Sequence, residues 1–233
     1  MTARIIVVTN QKGGSGKTTV AMHLAGTLAR RDGRVLVVDA DPQGTATRWA
    51  SSSPDENPFP ATVAGLAAAG GKVHREVRKF VADYDYIVVD CPPAVDSPVP
   101  QSALLVADVA LVPIVPSPPD LWAGVGIREL ITNMADINDG LQARLVANMC
   151  QPNTTLAREA LDLLGEFGIE LAATQMHLRT VYRQAAVYGG TVHGLGTRAS
   201  AAVVEVEALT DEVLALTKER THGEADHGRR VAG

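Results

Sequence analysis

Cysteine is nearly absent: Cys91 and Cys150 are the only two in 233 residues. Two are too few for a disulfide framework and lack the close-paired spacing of a metal site, so both read as small buried apolar side chains in a reducing compartment. Long apolar runs are missing as well. No stretch approaches the roughly 20 residues a bilayer-spanning helix requires, and the N-terminus enters a strand-like run without the pattern of a signal peptide. A cytosolic protein is expected. Positive charge is not in excess, since the formal net charge is −5. That argues against a uniformly basic nucleic-acid binder, yet leaves room for a local patch created by folding or dimerisation. Internal repeats and domain linkers are also lacking. The serine- and proline-rich stretch 51–60 reads as a surface loop, because core-like patterning resumes directly after it.

What is present is enough apolar material, 46% of the residues, to bury one sizeable core in a chain rather short for two. Apolar runs at 5–8, 34–38, 86–90, 109–116 and 143–148 read as buried strands, with a short one at 169–172. Helices are expected at 20–29, 73–82, 121–135, 155–167, 179–188 and 199–218. Such alternation implies right-handed crossovers, hence a single α/β domain with a doubly wound, mainly parallel sheet flanked by helices. The domain is expected over residues 1–220, with 221–233, rich in Gly, His and charge, as a frayed tail.

The first strand runs into Lys12-Gly13-Gly14-Ser15-Gly16-Lys17-Thr18-Thr19 and then into the first helix. A glycine-rich turn in that setting lets several backbone N–H groups converge on one point, and the helix N-terminus adds its partial positive charge. Lys17 contributes a full charge and the Thr18 hydroxyl can ligate magnesium, so a nucleoside triphosphate with Mg2+ is the implied ligand. The ordinary P-loop template fails by one position, because Gln11 stands where its first glycine belongs; a second lysine, Lys12, opens the loop instead. Two further strand ends carry carboxylates. In Asp39-Ala40-Asp41-Pro42-Gln43-Gly44 the period-two rule puts Asp39 and Asp41 on one side, toward the carboxyl edge where open α/β proteins keep their ligands. Strand 86–90 ends in Asp90, and Cys91-Pro92-Pro93 stops it.

The stretch KGGSGKTT resembles the deviant Walker A motif of the ParA/MinD family of ATPases. DADPQG resembles that family's second nucleotide motif, and the run into Asp90, followed by Cys91-Pro92-Pro93, resembles its Walker B. With these motifs in order and in fitting strand contexts, the resemblance spans residues 5–218. It implies an ATPase with ATP and Mg2+ as cofactors. Gly13, Gly14, Ser15, Gly16, Lys17, Thr18 and Thr19 would hold the phosphates, with Thr18 on the metal and Asp90 and Asp41 reaching it through water. Asp41 would position the attacking water, with Asp39 in support. Asn148 and Met149 would contact adenine, although many relatives carry arginine where Met149 stands. Lys12, the signature lysine, would cross a homodimer interface to the partner's phosphates as an arginine finger does, sandwiching two ATP molecules between two subunits. The segment after Asp90 would be a switch that senses hydrolysis. The PSPPDLW segment, 116–122, resembles an interface segment of the small ParF-type members; plain helix initiation explains it as well.

Relatives sharing this core differ in use. A MinD-type regulator ends in an amphipathic membrane helix, whereas 221–230 carry no apolar stripe, so no membrane contact is expected. Iron–sulfur members bring cysteines to a dimer interface, where Cys91 and Cys150 do not fit. A small-molecule kinase or a non-hydrolysing nucleotide module stays compatible with the P-loop alone. The resemblance points to an ATPase that is slow alone and stimulated by a small adaptor of ParB or ParG type. It would be nucleoid-associated through non-specific DNA and serve plasmid or chromosome partition; the alternative load is a protein cargo such as carboxysomes or chemotaxis clusters. For DNA the candidates are Arg179 and Arg183, four apart on the expected helix, with Arg198, Lys218 and Arg220.

Overall fold

β-Branched and other apolar residues fill the strands because both faces of this sheet are covered, and a strand buried on both sides reads as a continuous apolar run. The structure, a computed structural model, describes residues 2–93, 96–151 and 155–230. Strands β1 (Arg4–Val8), β2 (Val35–Asp39), β3 (Thr62–Gly65), β4 (Tyr86–Asp90), β5 (Val109–Ile114) and β6 (Gln142–Ala147) form one sheet in the order β3-β2-β4-β1-β5-β6. Every pairing is parallel, so the carboxyl ends of the strands open on one edge. Register adds to this: Val8 and Asp39 both lie opposite Asp90, and the loops after β1, β2 and β4 therefore begin at one level.

Between the strands run α1 (Lys17–Arg30), α2 (Thr45–Ser51), α3 (Val73–Arg78), α4 (Pro98–Leu104), α5 (Pro118–Ala123), α6 (Val125–Ala135), α7 (Thr155–Gly165), α8 (Thr180–Val187) and α9 (Ser200–Arg230). Side-chain alternation splits the core in two. Ile5, Val7, Leu36, Val38, Ile87 and Val89 pack on the face covered by α3, α4, α6 and α7. Ile6, Val8, Val35, Val37 and Val88 pack against α1, α2, α8 and α9.

Helix α1 is enclosed almost all round, and its His23 is fully buried with its ring edge-on to Trp49 and Tyr182, centroids 5.5 and 5.1 Å away. Burial, with His193 nearby, lowers the His23 pKa from 6.5 to about 3. The unfolded chain takes up that proton near the ordinary value, whereas the folded chain stays neutral until the lower one. Between the two, stability falls as pH falls, by up to about 1.4 kcal/mol per pH unit. Urea unfolding over this interval measures the slope, and His23→Leu is expected to flatten it. An unaltered slope in the variant would assign the acid sensitivity to other groups.

Several boundaries differ from the sequence reading. The helix expected at 121–135 is two helices, α5 and α6, divided at Gly124, where glycine disfavours a helix interior by about 1 kcal/mol relative to alanine. Helix α3 stops at Arg78, α8 begins one residue late because Arg179 is extended (φ −127°, ψ 137°), and α9 continues past 218 to Arg230. Residues 169–172 make a single bridge, Leu171 to Leu145, instead of a strand. Three elements, α2, β3 and α4, had no counterpart in that reading. The four-residue strand β3 lies at the sheet edge and is half exposed, so it carries no apolar run to recognise. Helix α4 did leave a signal, since Ser97 Oγ accepts the Val99 N–H at 3.3 Å with Pro98 in the first turn.

Candidate functional site

The loop from Lys12 to Lys17 leaves β1 at the middle of the carboxyl edge. Gly14 and Gly16 adopt left-handed backbone, φ 79° and 89°, a region that glycine enters without strain. At Gly16 space forbids a side chain too: a Cβ would lie 2.2 Å from Asn148 Nδ2. That amide donates to the Ser15 carbonyl at 2.8 Å, and Met149 follows in left-handed backbone (φ 55°) with its Cε 3.4 Å from the same Cβ position. Asn148 and Met149 thus brace the loop from the end of β6. Gly16 offers α1 no side-chain cap, so the first N–H groups of the helix face the loop without an intrahelical partner, and an anion suits them. Lys17 is buried and its Nζ donates to the Lys12 carbonyl at 3.1 Å. Burial lowers its pKa, opposed by Asp90, Cys91 and Asp41.

Across the loop, Thr18 Oγ1 donates to Asp90 Oδ2 at 2.7 Å. Asp90 is fully buried, and its Oδ1 has no hydrogen-bond partner among the described residues. Burial raises its pKa to about 7; the Thr18 hydrogen bond and Lys17 oppose that, while Asp39 and Asp41 add to it. An idle carboxylate oxygen held at that cost, beside a threonine hydroxyl, fits a hydrated magnesium ion, which takes one or two protein ligands and fills the rest with water and phosphate. Asp39 is differently employed. Its Oδ2 accepts the Thr47 N–H and hydroxyl at 2.8 and 2.9 Å, and its Oδ1 accepts the Asp41 N–H at 3.2 Å, so it pins the start of α2. Asp41 is only half buried and has Oδ1 on the Gln43 N–H at 2.8 Å. The structure therefore gathers Lys12, Lys17, Thr18, Asp39, Asp41, Asp90 and Asn148 at one edge. Sequence reading missed Asn10, which joins the Pro113 carbonyl at 2.7 Å to the Lys12 N–H at 3.0 Å, and Thr47. Position directly before the loop was the only local hint for Asn10.

Of the arginines proposed for DNA, Arg179 lies outside the helix that was expected to carry it beside Arg183. Arg179 precedes α8, and its Nε and Nη2 donate to Glu205 Oε1 at 2.9 and 2.7 Å. Glu205 also accepts from Tyr182 and His177; burial pushes its pKa up, but these hydrogen bonds outweigh that and hold it below the ordinary value. The Arg179 charge is thus matched within the fold, a pairing no sequence spacing foretells. Arg183 and Arg198 are exposed, while the side chains of Lys218 and Arg220 lie outside the described ones, as do residues 94–95 of the expected switch segment. Among the described residues no helix is long and apolar enough to cross a membrane.

Known proteins resemble this chain in sequence and in fold. The model of the CobQ/CobB/MinD/ParA nucleotide binding domain matches residues 6–192. The chain is 34% identical to the maintenance of carboxysome distribution protein A of Halothiobacillus neapolitanus, over 90% of this chain and 95% of that one. It is 28% identical to the chromosome-partitioning ATPase Soj of Thermus thermophilus, over 93% and 97%. In fold it is similar to an ATP complex of an aspartate-to-alanine variant of Cyanothece McdA, TM-score 0.77 at 16% identity, covering 91% and 96%. With a glycine loop that excludes a Cβ, a lysine and a threonine converging on a buried aspartate, and a family match over most of its length, this chain belongs to the CobQ/CobB/MinD/ParA nucleotide-binding family.

Proposed function

We propose that this protein is an ATPase that closes into an ATP-bound homodimer and, with an adaptor, positions a protein cargo of the carboxysome kind. The observation that carries the cargo is the similarity to the Halothiobacillus carboxysome distribution protein, which runs through 90% of this chain. Plasmid or chromosome partition, put first on sequence alone, becomes the second reading and is favoured by the 28% identity to Soj. Deleting the gene in its host, with compartment shell and resident plasmids separately labelled, distinguishes them. Clustered compartments with stable plasmids are expected; plasmid loss with evenly spaced compartments would restore partition.

Within the site, the loop N–H groups and Lys17 hold the phosphates and keep their charge matched during bond cleavage. Thr18 and Asp90 would hold magnesium, which when bound would supply further positive charge to the phosphates. Asp41 orients the attacking water. Lys12 adds a second full charge from the neighbouring subunit, so turnover is slow in the monomer and rises with assembly.

Non-specific DNA binding remains part of this reading. With Arg179 held by Glu205, it rests on Arg183 and Arg198, together with Lys218 and Arg220. Because such residues neutralise backbone phosphates, affinity falls steeply with salt, and the slope of log affinity against log salt drops by about 0.9 for every phosphate left without its cation. Arg183→Glu and Arg198→Glu are expected to weaken binding of the ATP-loaded protein to unrelated duplexes and to flatten that slope. Unchanged affinity with dimerisation intact would remove this surface.

A further inference from the structure

Lys12 is not free at the mouth of the loop. Its Nζ lies 2.6 Å from Asp120 Oδ1, and the Asp120 side chain is only 11% exposed. Asp120 sits in the first turn of α5, where Ser117 Oγ donates to its Oδ2 and the Ser117 carbonyl accepts its N–H at 3.0 Å. The carboxylate is therefore fixed before Lys12 reaches it. The neighbouring residue is docked on the helix that follows α5: Gln11 lies so close to Gly126 of α6 that a Cβ there would fall 2.4 Å from Gln11 Oε1. On the other side, the Lys12 carbonyl accepts from Lys17 Nζ. Besides the Asn10 contact to its N–H, Lys12 is thus held by two charged groups that a phosphate would affect. An anion in the cradle takes Lys17 away from the Lys12 carbonyl, and any phosphate that Lys12 serves must compete with Asp120 for one ammonium.

We propose that Asp120 is a positioning residue that latches Lys12 within its own subunit and sets the nucleotide concentration at which Lys12 is released for assembly. This rests on the sandwich-dimer reading above. The latch makes the nucleotide-free monomer self-satisfied: the signature lysine is neutralised at home, and assembly must exchange one ion pair for another. Because Asp120 is anchored by Ser117, exchange costs the loop its register and costs α5 little. The resulting threshold keeps subunits apart until nucleotide is bound.

Asp120→Asn removes the charge and keeps the hydrogen bond with Ser117, which makes it the informative variant, and a thermal melt checks that it folds. Without nucleotide, acetylation of the Lys12 amine by a water-soluble acylating ester, followed by peptide mass spectrometry with exposed Lys72 as internal reference, is expected to be several-fold faster in the variant. With a slowly hydrolysed ATP analogue and magnesium, light scattering is expected to show dimers at about fivefold lower nucleotide concentration, the scale of one partly exposed ion pair. Asp120→Glu should return both readouts toward the parent. Equal acetylation rates overturn the latch. So do dimers whose half-point is unmoved or raised, the latter meaning that Asp120 assists assembly. Absence of dimers from parent and variant alike overturns the sandwich reading itself, and the threshold with it.

Discussion

Lys17→Ala is expected to weaken Mg·ATP binding by at least about a hundredfold, the scale of one charged hydrogen bond removed from a dry site. Lys17 is buried, the N–H groups around it are neutral dipoles, and Lys12, the other lysine of the loop, is engaged by Asp120, so the lost charge is not readily replaced. Asp90, Cys91 and Asp41 all act on its ammonium; with alanine there, Asp90 faces incoming phosphates without a balancing cation. Among the described residues Lys17 Nζ donates only to the Lys12 carbonyl, so turning to a phosphate is expected to cost the parent little. Calorimetric titration with ATP and magnesium, alongside a thermal melt, measures the effect. Unchanged affinity in a folded variant would mean that phosphates bind elsewhere.

Asp41→Ala is expected to leave ATP binding and dimerisation near the parent level while lowering turnover by about a hundred- to a thousandfold. Such a split follows if Asp41 acts only on the water that attacks, an interaction realised in the transition state. Its position supports the split. Asp41 is half buried, is engaged at Oδ1 alone among the described residues, and leaves the same strand end as Asp39, which by contrast spends both oxygens on α2 and the turn. Asp39 is for that reason a poor comparison, since its loss would loosen α2 and confuse chemistry with folding. Single-turnover phosphate release, with light scattering to follow the dimer, checks the prediction. Parent-like release would take Asp41 out of the reaction, and loss of ATP binding would make it a ligand-holding residue instead.

Much of this site was readable because its parts are contiguous. An apolar run, a glycine-rich turn and a helical period within residues 5–29 specify a phosphate cradle by local backbone rules alone: glycine for φ above zero, helix N–H groups without partners, and a lysine at the first helical position. The same local rules placed Asp39, Asp41 and Asp90 at strand ends, and alternation of strands and helices sufficed for a parallel sheet. What the chain alone left open are the pairings made across sequence. Thr18 meets Asp90 at a separation of 72 residues, Asn148 meets Ser15 at 133, and Lys12 meets Asp120. Arg179 shows the same limit: spacing by four put it on a helix beside Arg183, while in the structure it precedes α8 and pairs with Glu205. Periodicity reports only neighbours within a few residues along one element. Which strand ends lie side by side, and therefore which charges meet, is set by the order β3-β2-β4-β1-β5-β6 and by burial between layers, and these exist only once the sheet has closed.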